Sequence, residues 1–163
     1  MVSRRGAALV TLLLVVAVLG YEVRDWNDPP EVTVTNGDDT AYRVTAYTVG
    51  GAPDPDSLTF RATLPDGSRR TVPTRDVTLG GPYTNVTLET PNVTRQVVTV
   101  PPRTTVNATV EAWTHGRGTV YVIEQRATGA LVTVEVVDCD RGGQRHALTI
   151  RDGLLAQWTD ACH

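Results

Sequence analysis

From Pro29 onward the chain is written in short runs in which apolar and polar residues alternate, and this period of two constrains the fold more than any other feature. Val32 and Val34 alternate with Thr33 and Thr35, and Leu58, Phe60, Ala62 and Leu64 alternate with Thr59, Arg61 and Thr63. Successive side chains of a strand point to opposite faces, so such runs read as half-buried strands. Tyr42, Val44 and Ala46; Val86 and Leu88; Val98 and Val100; Val106, Ala108 and Val110; Val120 and Val122; Val132, Val134 and Val136; and Leu148 with Ile150 continue the pattern. Turn chemistry separates the runs. Asn36-Gly37-Asp38-Asp39 is expected to turn the first strand into the second, and Pro65-Asp66-Gly67-Ser68 to close a hairpin. Pro91 and Pro101-Pro102 fall between runs, as they must, because proline cannot donate to a ladder. Residues 154–158, Leu-Leu-Ala-Gln-Trp, read as a last strand or a short helical turn. Roughly eight to ten strands of this length predict an antiparallel β-sandwich.

The start of the chain follows another rule. Arg4 and Arg5 precede an uncharged, mostly aliphatic run from Gly6 to Tyr21, and Glu22, Asp25 and Asp28 follow with only Arg24 among them. The order is that of an export segment: basic flank, apolar run, acidic exit. Its length lies between a secretory apolar region of about 7–15 residues and a spanning helix of about 20. Val18-Leu19-Gly20 before Tyr21 is a weak cleavage site, so the helix is expected to be an uncleaved anchor or a signal peptide. A twin-arginine reading of Ser3-Arg4-Arg5 is weaker, since Gly6, Ala7 and Ala8 lack bulk. The organisation is then 1–23 signal anchor or signal peptide, 24–30 linker, and 31–163 β-sandwich domain. The expected location is the cell membrane, single-pass with the C-terminal domain extracellular, or secretion if the leader is cut. Tyr21 and Trp26 are placed as interfacial anchors.

Charge narrows the partners. The formal net charge is −3, and beyond Arg5 no run of arginines exceeds the pair Arg69-Arg70, so a nucleic-acid partner is not expected. Every basic residue is arginine, and twelve Asp stand against six Glu. This usage resembles that of halophilic archaea.

Several sets of side chains carry groups capable of chemistry. Cys139 and Cys162 are the only cysteines, and in an exported chain the pair is expected to form a disulfide. Adding His146 and His163 gives no zinc spacing, and His115 lies far off in sequence. A blue-copper set lacks its methionine, since Met1 is the sole one. No resident metal or other cofactor is expected. The acid pairs Asp38-Asp39, Asp54 with Asp56, and Asp138 with Asp140 read as turn chemistry before calcium ligands. Ser57 and Ser68 have no nucleophile motif around them, so the chain is expected not to be an enzyme. Asn85, Asn92 and Asn107 each open an Asn-x-Thr acceptor, making them glycosylation candidates on export. Trp113 and Trp158, with Trp26, are dispersed and expected in the core or at a rim before any sugar platform.

The layout, with Asn-x-Asp-Asp-Thr after the first strand and Val-Pro-Pro-Arg-Thr-Thr-Val-Asn-Ala-Thr-Val-Glu-Ala before Gly-Thr-Val-Tyr-Val-Ile-Glu, resembles immunoglobulin-like domains of archaeal surface proteins over residues 30–151. The buried Trp and inter-sheet disulfide of antibody domains have no counterpart at matching positions. The resemblance implies an all-β, antiparallel immunoglobulin-like β-sandwich, and the run Gly6–Tyr21 is expected to precede it as one N-terminal hydrophobic helix. The expected function is a non-enzymatic module at the cell surface, in envelope structure or binding, with a cell-surface protein or glycan partner. The alternative is an exported module binding carbohydrate or Ca²⁺.

Overall fold

The computed structural model describes residues 28–51, 53–78, 81–139 and 141–162. The apolar run and the helix expected for it lie outside the described residues, as do most of the linker and His163. Among the described residues no helix is long and apolar enough to cross a membrane.

Eleven strands follow in order: β1 (Glu31–Asn36), β2 (Tyr42–Gly50), β3 (Thr59–Thr63), β4 (Arg69–Pro73), β5 (Thr84–Leu88), β6 (Thr94–Val100), β7 (Thr105–Thr109), β8 (Arg117–Gln125), β9 (Leu131–Val137), β10 (Arg145–Arg151) and β11 (Leu154–Ala161). A 3₁₀ turn (Pro55–Ser57) and a one-turn helix, α1 (Thr74–Thr78), complete the described elements. They form three sheets. The first runs β11-β10-β1-β7, the central one β6-β2-β8-β9, and the third β4-β3-β5.

The central sheet is buried on both faces, which period-two reasoning did not anticipate. One face, with Val44, Ala46, Tyr121 and Ile123, meets Val32, Val34, Leu148 and Ile150 of the first sheet. The other, with Tyr47, Val49, Val120 and Val122, meets Phe60, Ala62, Leu88 and Val77 of the third sheet and α1. The fold is thus a sandwich with a third layer, built by the segment between β2 and β6. Burying a side chain such as Phe60, which is 0% exposed, stabilises by about 1.5–3 kcal/mol, so this small layer has enough apolar content to dock.

Three local readings change. The Asn36–Asp39 turn does not close a hairpin, because β1 and β2 lie in different sheets. Nor is the pairing wholly antiparallel: β1 runs parallel to β10, from Glu31 opposite Arg145 to Asn36 opposite Ile150. Parallel neighbours need a long crossover, and almost the whole domain separates these two strands. Finally, Val132, Val134 and Val136 do not share a face. The β8–β9 register shifts between Ile123 and Glu124, and this bulge turns Val132 into the first core while Val134 and Val136 serve the second.

The hairpin at Pro65–Ser68 forms as expected. The Asp66 carboxylate accepts from the Ser68 amide at 2.8 Å and hydroxyl at 2.6 Å. Gly67 takes φ +80°, a left-handed conformation that costs a glycine little. Residues 154–158 belong to a strand, β11.

The two long rims between the first and central sheets are closed differently. At one, Cys139 after β9 is bonded to Cys162 after β11, with Cα atoms 6.0 Å apart. At the other, the Gln96 amide of β6 donates to the Thr109 carbonyl (2.9 Å) and accepts from the Glu111 amide (2.8 Å).

Candidate functional site

A buried polar chain lies beside the disulfide. Gln144 and His146 are two apart at the start of β10, so both turn inward, and each is 1% exposed. Gln144 Nε2 donates to the Cys139 carbonyl at 2.9 Å and to the Arg141 carbonyl. Its Oε1 is therefore the acceptor facing His146 Nε2 at 3.0 Å. That fixes the tautomer: Nε2 carries the hydrogen, and Nδ1 accepts from the Tyr121 hydroxyl at 2.6 Å. Trp158 covers the pair, its ring centroid 5.8 Å from each of theirs. Burial pushes His146 down to about 4, against a smaller opposing pull from Asp160. Burial also pushes the Tyr121 phenol up. The ring is neutral at physiological pH, and both its nitrogens are engaged.

Beside this chain a groove of about 330 Å³ is lined by Glu31, Thr33, Arg145, His146, Thr159 and Asp160. Cys139, Asp160 and Cys162 bring ligand atoms within 4.8 Å of one another. The bridge takes both sulfurs out of that donor set, because a metal binds thiolates.

At one end of the sandwich, the Asn-x-Asp-Asp turn ties three connections together. Asn36 Nδ2 donates to the carbonyls of Thr40 and Pro101, each at 2.8 Å. Asp38 accepts from the Tyr42 hydroxyl (2.6 Å) and from the amides of Asp152 (2.7 Å) and Gly153 (2.9 Å) in the β10–β11 turn. Arg103 forks onto Asp39 at 2.8 and 3.1 Å. The Tyr42 hydrogen bond and then the Gly153 amide hold the Asp38 carboxyl below the usual range. Hydrogen bonding to Arg103 does the same for Asp39. Burial first, then Asp38, raises the Tyr42 phenol. These carboxylates are aimed at hydrogen-bond donors and work as loop fasteners. Asp54 likewise caps the 3₁₀ turn through the Asp56 amide at 3.0 Å. Asp138 is exposed, and Asp140 lies outside the described residues.

The deepest carboxylate is Glu124, 1% exposed. Oε2 accepts from Arg43 Nη2 at 2.7 Å and Nε at 3.2 Å, and Oε1 accepts from the Val86 amide at 2.8 Å. Val86 lies where the β3–β5 register shifts between Arg61 and Thr63, so Glu124 caps an amide of the irregular stretch. It thereby fastens the third layer to the central sheet. Sequence reasoning passed over Glu124, Gln144 and Tyr121. The available signals were an acid closing the apolar run Val120–Ile123, and the spacing Gln-x-His in a strand.

The remaining sequence candidates do not converge. Asn85, Asn92 and Asn107 are all exposed. Trp113 is buried in the first core, donating to the Arg117 carbonyl at 2.7 Å, and Trp158 packs on Tyr121, so neither offers a stacking face with the other. Ser57 and Ser68 hydroxyls donate within their own turns, to the Asp54 carbonyl and the Asp66 carboxylate.

A three-sheet arrangement built on a two-sheet sandwich, with its first strand parallel to its penultimate one, can be set beside known families. The model of the family described as halobacterial Ig domain protein matches residues 1–160. The chain belongs to that family. No curated protein and no solved structure matches it. For this family member, membership agrees with the immunoglobulin-like sandwich seen here and suggests a non-enzymatic surface module.

Proposed function

We propose that the chain is a non-enzymatic immunoglobulin-like module displayed outside the cell, in envelope structure or binding. The run Gly6–Tyr21 holds it to the membrane, or cleavage before Tyr21 releases it. The observation that carries the reading is the Cys139–Cys162 bridge across the rim of the sandwich. Such a bond persists in an oxidising, extracytoplasmic compartment and not in a reducing one. The order of charges around the apolar run supports the same side of the membrane. Internal satisfaction of Glu124, His146 and Gln144 fits a scaffold, whose recognition then belongs to its outer surfaces and loops.

The test is protease added to intact cells, followed by detection of the domain in membrane and medium fractions. Digestion at the surface with membrane co-sedimentation is expected. Full protection of the domain in intact cells refutes the topology. A mature N-terminus at Tyr21 in the medium replaces the anchor with secretion.

A further inference from the structure

The three Asn-x-Thr acceptors fall on or just before three consecutive strands, and each of those strands is an edge. Asn85 lies on β5, the edge of the third sheet. Asn92 sits two residues before β6, the edge of the central sheet, and Asn107 is the middle residue of β7, the edge of the first sheet. A strand edge presents unpaired backbone groups that can pair with another chain, and proteins blunt such edges with bulk or charge.

The edges are not equally open. Along β5 the Val86 amide is taken by Glu124 and the Asn85 amide by the Gly129 carbonyl at 3.0 Å. Asn85 is left-handed, with φ +52°. Its side chain lies on the β8–β9 turn so closely that a Cβ at Gly129 would stand 2.6 Å from Asn85 Oδ1. Asn85, though exposed, is thus held against the β8–β9 turn. β6 and β7 each pair with a single strand, β2 and β1, and lie along the rim that has Gln96 as its crossing rather than the disulfide. Val97 on β6 is 47% exposed. Asn92 occupies an exposed turn at φ +57°. The Oδ1 of Asn107 accepts from the Thr33 hydroxyl at 2.9 Å, so the nitrogen end of that amide is the end Thr33 does not take.

We propose that Asn92 and Asn107, and not Asn85, carry N-linked glycans that guard the open β6–β7 rim against pairing with a second chain. The proposal rests on the extracellular reading above. The donor is a lipid-linked glycosyl phosphate. The Asn Nδ2 attacks the anomeric carbon, forming an N–C bond as the C–O bond to phosphate breaks. The lipid phosphate leaves with the electron pair, and the amide proton passes to a base of the transferase. The large hydrated glycans then stand at the start of β6 and over the outer face of β7, where their bulk crowds the approach of a second chain to this rim.

The test is peptide mapping of the full chain purified from cells that export it and carry an Asn-x-Ser/Thr transferase. Surface proteolysis is run on the same cells. Glycan at Asn92 and Asn107 with Asn85 bare is expected. Asn92→Gln with Asn107→Gln, and separately Thr94→Val with Thr109→Val, should keep the β-sheet circular dichroism and shift the protein on size exclusion from monomer to larger species. Asn85→Gln should leave the elution unchanged. The second double variant removes both acceptor motifs while keeping both asparagines, so it reads the glycan even if the first is unstable. Bare Asn92 and Asn107 on a domain that protease reaches overturn the proposal, as does a glycan on Asn85. Unglycosylated variants that stay monomeric overturn the guarding role. A domain that protease cannot reach overturns the location, and this proposal with it.

Discussion

Lowering the pH from 7 to 5 tests the buried chain through one group, His146. In the folded protein burial holds its pKa at about 4, against about 6.5 for an ordinary imidazole. Between those values the unfolded state binds the proton and the folded state does not. Stability is therefore fully present above about pH 6.5 and is lost as pH falls toward 4. Each pKa unit is worth about 1.4 kcal/mol, so the loss from pH 7 to 5 is about 2 kcal/mol, or roughly 6 °C in Tm for a domain of this size. The groups facing His146 are the Tyr121 hydroxyl, the Gln144 amide, Trp158 and Asp160. Asp38, Asp39, Asp66 and Glu89, all held low by hydrogen bonds, stabilise above the ordinary carboxylate range and lose that only as pH falls through it, below this window. Glu135 works the other way, since burial raises its carboxyl and protonation favours the folded state. Urea unfolding of the wild type and His146→Gln across pH 7 to 5 removes these by subtraction. The variant side chain still accepts from Tyr121 but does not titrate. The wild type is expected to lose about 2 kcal/mol relative to the variant between pH 7 and pH 5. Parallel curves would refute a buried, neutral His146.

Glu124→Ala should lose about 3 kcal/mol, because the Val86 amide is left unsatisfied and Arg43 loses its partner. Since the Arg43 side chain is 30% exposed, water recovers part of its charge, which sets the value near the low end for a broken buried pair. Glu124→Gln keeps an acceptor for Val86 and should lose less in the same urea titration; equal losses would show that the Val86 bond contributes nothing. Cys162→Ser opens a loop of sequence separation 23 and should cost about 3 kcal/mol in the chain-entropy picture. Non-reducing peptide mapping should recover Cys139 linked to Cys162, and two alkylatable thiols in the native protein would contradict the bridge.

The sequence by itself determined the strands and turns, because these are read from neighbours. Val32-Thr33-Val34-Thr35 can present one apolar face only as a strand, and Asp66-Gly67 supplies the left-handed residue its hairpin needs. The strands and their connections carried a resemblance to immunoglobulin-like domains of archaeal surface proteins, and the family match over residues 1–160 agrees with it. Where each face goes was not. Val120-Tyr121-Val122-Ile123 is apolar at both parities because β8 is covered on both sides, and no local pattern says that the segment between β2 and β6 supplies the second cover. The face served by Val132 was set by a bulge, which shifts parity without altering composition. The acids and histidine of the candidate site were visible as residue types, but their roles depend on partners far off in the chain. Glu124 meets Val86, His146 meets Tyr121, and Asp38 meets Asp152 and Gly153, across sequence separations of 38, 25, 114 and 115. A hydrogen bond acts over about 3 Å of space, and only the tertiary structure brings those atoms that close.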